Sequence, residues 1–110
     1  MTQIYAVDRE RWSKMSIFDQ MGNIYSEVGR SLKAKSINNQ KDYEQALARA
    51  IDLFDATVAN QIQQHSPKAK EVLRAKEQFL DICSRKASVS DTQSLDRYFM
   101  QFAVAARLHR

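Results

Sequence analysis

Four stretches of the chain place apolar residues three and four positions apart, the spacing that brings side chains to one side of an α-helix. The first passes through Phe18, Met21, Tyr25, Val28 and Leu32, with Ile17 and Ile24 widening the stripe and Asp19, Asn23, Ser26, Arg30 and Lys33 opposite it. It predicts a helix over residues 13–35, with Ser13 as N-cap and Trp12 packed over its start. A polar link then leads to a second helix over 40–64, capped by Asn39, with Tyr43, Leu47, Ala50, Ile51, Phe54, Val58 and Ile62 inward and Arg49, Asp52, Asp55 and Asn60 outward. His65-Ser66-Pro67 forms the sharpest boundary, because the residue before a proline resists the helical conformation while Pro67 itself suits the first helical position. A third helix over 67–86 follows, with Ser66 as cap, Val72, Ala75, Phe79, Ile82 and Cys83 inward, and Leu73 and Leu80 at its margin.

The fourth helix is expected over 90–108, with Ser90 and Gln93 in the spacing of a capping box. Its inward residues are Leu95, Tyr98, Phe99, Phe102, Ala105, Ala106 and Leu108, the aromatic ones closing the core against the first helix. The unbroken apolar run from Phe102 to Ala106 leaves little polar face and also suits a subunit interface. Short links between long, matched helices predict an all-α fold, an antiparallel four-helix bundle running up, down, up and down, as one domain over residues 1–110. Residues 1–11 are an arm that is open to three descriptions: disordered, an extra helical turn started by Asp8, or a segment docking on a partner.

Gly22 and Gly29 interrupt the first helix seven positions apart, each costing about 1 kcal/mol relative to alanine. Their expected use is close approach of a neighbouring helix, with a break at Gly22-Asn23 or a groove for a partner as the alternatives. With two glycines and one proline in 110 residues, little turn chemistry remains for a many-stranded β fold. At 44% apolar and 27% charged residues the chain has the composition of a globular protein. No apolar stretch approaches the roughly 20 residues that span a bilayer. A single cysteine, Cys83, fits a reducing compartment, and a cytoplasmic location with no membrane association is expected.

The net charge of +4 is uneven: residues 66–86 carry six basic side chains against three acidic. Lys68, Lys70, Arg74, Arg85 and Lys86, joined by Arg30, Lys33 and Lys35 from the end of the first helix, are candidate phosphate contacts if those helices are neighbours. Interspersed Glu71, Glu77 and Asp81 blunt that field.

Reactive constellations are missing from the spacing. A metal site in a bundle calls for an acid three residues before a histidine, but Ile62 precedes His65 and Ala106 precedes His109. No arginine stands four to six residues before either histidine, as helical-bundle ribonucleases require. Asp52 and Asp55 form a solvated pair with Arg49 one turn away, and Cys83 belongs to an inner face. The sequence therefore predicts a non-enzymatic protein without metal or cofactor. It acts through protein–protein contacts or self-association, with nucleic-acid binding through the basic residues as the alternative.

Overall fold

The computed structural model describes residues 6–85 and 88–108. Lys86, His109, the side chain of Ala106 and the first five residues of the arm lie outside the described residues. Five helices and no strand occur among the described residues: α1 (Arg9–Ser13), α2 (Ile17–Ser36), α3 (Gln40–Gln63), α4 (Lys68–Ser84) and α5 (Val89–Leu108).

The first predicted helix is two. Asp8 accepts from the Glu10 and Arg11 amides and starts α1, the second of the three descriptions of the arm, whereas Ser16, not Ser13, caps α2 by accepting from the Asp19 amide at 3.1 Å. The reason is Trp12. Its ring is buried and its indole N–H donates to Thr57 Oγ at 2.9 Å, which requires the chain to turn between α1 and α2 so that α1 lies on α3. The arm is fastened further along α3, where Asp52 accepts from the Val7 amide at 2.6 Å and pairs with Arg9 at 3.6 Å.

Asn39 caps α3 as expected, accepting from the Asp42 amide. Helix α4 starts one residue later than expected, with Pro67 rather than Ser66 in the N-cap position and no side-chain cap bond there, while the Ser66 hydroxyl accepts from the Lys68 amide at 3.2 Å. The capping box of α5 sits two residues earlier than predicted. Ser88 Oγ accepts from the Asp91 amide at 3.1 Å, and the Asp91 carboxylate accepts from the Ser88 amide at 3.2 Å and from Arg85 at 2.7 Å. A carboxylate that also finds a cation makes a stronger closing partner than the amide of Gln93.

The core gathers Met21, Ile24, Val28, Leu53, Phe54, Val72, Phe79, Ile82, Leu95, Phe99 and Phe102, with Trp12 at its edge. Phe54 lies between Phe79 and Phe99, at ring-centre distances of 6.0 and 6.1 Å. Phe99 stacks on Tyr25 of α2 at 5.5 Å, so it closes the core against the long helix as predicted, while Tyr98 turns its hydroxyl to the Glu71 carbonyl of α4. Two inward assignments and one outward assignment on α3 and α5 fail. Ile62 and Leu108 are 60% and 76% exposed, and Asn60, expected outside, is only 8% exposed. The seam between α2 and α3 is polar and small rather than oily: Gln20 donates to the Trp12 carbonyl at 2.7 Å and to Asn60 at 3.3 Å, and Ser31 and Thr57 are also buried. Amides that find donors and acceptors across the seam are admitted there, although Gln20 Oε1 is buried without a described partner, so an apolar tally misplaces the inner face of α3.

Side-chain contacts tie the long helices together. Gln20 near the start of α2 reaches Asn60 near the end of α3, and Asp55 of α3 pairs with Lys76 of α4 at 2.6 Å. Tyr25 of α2 bonds Asp96 of α5, and α4 and α5 meet at Tyr98 and Glu71. Helix α2 packs most extensively on α3, and α5 lies against α2 and, less closely, α4.

Candidate functional site

Lys35 is absorbed by the fold. Its ammonium donates to the carbonyls of Ile82, Cys83 and Arg85, filling all three donors with the carbonyl groups at the end of α4. Arg85 is held by Asp81 at 3.0 Å and Asp91 at 2.7 Å, and Arg30 lies 3.6 Å from Glu27. Hydrogen bonds from Arg85 and then from Ser88 hold the Asp91 carboxyl well below the usual carboxylate range. Lys33, Lys70 and Arg74 are exposed, and Lys68 is half-buried.

These cations are not gathered into one surface. Lys68 shares a pocket with Ser16 and Ile17 at the start of α2, while Lys33 and Lys35 share a groove with Ile82 at the other end of that helix. At 1.5 Å per residue the two ends stand about 28 Å apart.

The glycines also depart from the first expectation. A Cβ built on Gly22 or Gly29 would meet no neighbouring atom within 4 Å, so neither residue permits a close helix approach. Helix α2 continues unbroken through Gly22-Asn23. Gly29 instead borders a furrow of about 160 Å³ between α2 and α5, floored by Val28, Leu95 and Phe99 and edged by Asp96.

The residues with reactive side chains are dispersed among structural tasks. Asp52 anchors the arm and Asp55 pairs with Lys76. His65 occupies a left-handed turn, with φ of 54°, that ends α3: the His65 amide donates to the Ile62 carbonyl and the Ser66 amide to the Gln61 carbonyl. Cys83 is half-buried beside Tyr43. Burial raises its thiol above the ordinary range, with Tyr43 and Lys35 opposing, and burial with the Cys83 contact pushes Tyr43 up to about 12. Such a thiol is held in its neutral, weakly nucleophilic form. No group of three His, Cys, Asp or Glu side chains placed to hold a metal occurs among the described residues, and no described helix is long and apolar enough to cross a membrane.

The feature that periodicity did not isolate is the outer face of α5. Met100, Val104 and Leu108 are 45%, 47% and 76% exposed at spacings of four, and Val89, three turns before Met100, is 74% exposed. They stand on a flank away from Leu95, Phe99 and Phe102. The signal was present in the apolar run of 102–106, but the same run reads equally as core until the orientation of α5 is known. No family model, no curated protein and no solved structure matches this chain.

Proposed function

We propose that this protein is a small non-enzymatic interaction module that docks through the outer face of α5 onto another protein, a second copy of itself included. The observation that carries the reading is the line of Val89, Met100, Val104 and Leu108, all left in water. Exposed apolar residues scattered singly are ordinary, whereas a line of them along one helix adds up to a patch whose burial is favourable at about 25 cal/mol per Å². We also infer that the four long helices form an up-down-up-down bundle, a reading supported by the short links between them and by the bond from Gln20 near the start of α2 to Asn60 near the end of α3. A reducing compartment such as the cytoplasm suits the half-buried Cys83 thiol.

Nucleic-acid binding has less behind it, because Lys35 and Arg85 are spent on helix ends and the remaining cations lie toward both ends of α2. A photo-crosslinking residue at position 104, with the exposed Lys41 position of α3 as control, tests the docking reading in cells that produce the protein. Protein adducts at 104 and not at 41 are expected. Equal yields at the two positions, or adducts to nucleic acid alone, overturn it.

A further inference from the structure

We propose that the polar pocket where α2 and α4 begin and α3 ends binds the phosphate group of a small molecule. The pocket, about 370 Å³, is lined on its polar side by Ser16, Asn60, Gln61, Gln64, Ser66 and Lys68. That volume lies within the range of sites that hold small organic ligands.

Two of these side chains keep polar groups that the fold does not use. Gln61 is only 4% exposed, yet its amide makes no hydrogen bond to any described residue, and its polar atoms are not sealed in the core, so their opening is this pocket. Asn60, 8% exposed, accepts through Oδ1 from Gln20 and Gln64 and leaves its own Nδ2 donor without a described partner. Polar atoms that face the pocket and meet no described partner are free to donate to a ligand that enters it.

What the pocket presents is mainly donors. The Ser16 and Ser66 oxygens already accept from the Asp19 and Lys68 amides, which leaves each hydroxyl hydrogen to donate. Lys68 brings a positive charge that enters no ion pair among the described residues. Both α2 and α4 are long helices, and their positive dipole ends open here. The negative end of α3 is the opposing influence, but the carbonyls of Asn60, Gln61 and Ile62 are already taken by the amides of Gln64, Ser66 and His65. No carboxylate lines the pocket among the described residues. Donors, a lysine and two helix starts, with no competing anion, select a compact oxyanion with several acceptor oxygens. Met15 and Ile17 form an apolar wall beside them, room for an organic body attached to the phosphate.

Amide and side-chain NMR titration of the full chain with inorganic phosphate, and separately with adenosine monophosphate and adenosine, tests this assignment. Saturable shifts at Asn60, Gln61 and Lys68 are expected with both phosphate compounds and not with adenosine. Lys68→Met should weaken binding at least about tenfold, while Lys70→Met, on an exposed site next door, should not. Tighter binding of the monophosphate identifies a phosphorylated small molecule as the ligand, and equal or weaker binding identifies the free ion. Non-saturating shifts, shifts spread equally over Lys33 and Arg74, or undiminished binding in a folded Lys68→Met protein overturn the proposal.

Discussion

Asn38 and His65 carry φ values of 59° and 54°, the left-handed conformation that follows the last turn of α2 and of α3. The backbone closes both turns in the same way, with the Asn39 amide on the Ala34 carbonyl and the Ser66 amide on the Gln61 carbonyl. Asparagine tolerates this region, whereas histidine is strained by its Cβ. His65→Gly is therefore expected to raise unfolding free energy by about 0.5–1 kcal/mol after the loss to unfolded-chain entropy, and Asn38→Gly by less. Urea denaturation measures both, and a destabilised His65→Gly protein would show that the imidazole has a task beyond the turn. The glycines of α2 make the complementary case. With open space where each Cβ would stand, Gly22→Ala and Gly29→Ala should each stabilise by about 0.5–1 kcal/mol. A loss of stability at either position in the same melts would mean that a neighbour approaches more closely than this structure places it.

At the scale of the element, helix existence was legible and helix starts were not. Asn39 was readable in spite of its neighbour Asn38, which is taken into the left-handed turn that ends α2. Ser13 and Ser90 each have a serine within three residues, and the choice fell to contacts distant in sequence or to a neighbouring charge: Trp12 on Thr57 in one case, Arg85 on Asp91 in the other. Ser88→Ala should thus cost about 1 kcal/mol in chemical denaturation and Ser90→Ala almost nothing, the reverse of the expectation from spacing. The acid response of this junction has a defined sign. Because Asp91 is depressed in the folded protein from the ordinary value of 3.8, its contribution is full above that pH and disappears as pH falls through the lower folded value. In an NMR pH titration its carboxyl resonance should hold its ionised position down through 3.8, and Ser88→Ala should move the transition upward. A transition already at the ordinary value would mean that the Arg85 pair is not formed in solution.

For the whole molecule, the outer face of α5 is where folding and docking can be separated. Met100 and Val104 are about half exposed and belong to no core cluster, so Met100→Lys with Val104→Lys should leave thermal stability within about 0.5 kcal/mol. The same pair should abolish whatever protein adducts form at α5, or return a self-associated species to monomer mass by light scattering. A large loss of stability would place these side chains in the core and remove the docking reading.

Composition and spacing alone determined that the chain is helical, roughly where its long helices run, and that Val72, Phe79, Ile82, Leu95 and Phe99 are interior, because a 3.6-residue repeat admits one solution where the oily stripe is narrow. Only tertiary structure decided the rest. It buried Gln20 and Asn60 and left Ile62 in water, since a polar side chain is admitted to an interface by partners distant in sequence rather than by its own hydrophobicity. It also split the basic residues between the two ends of α2, because residues that share a charge can share a surface only where packing brings their helix ends together.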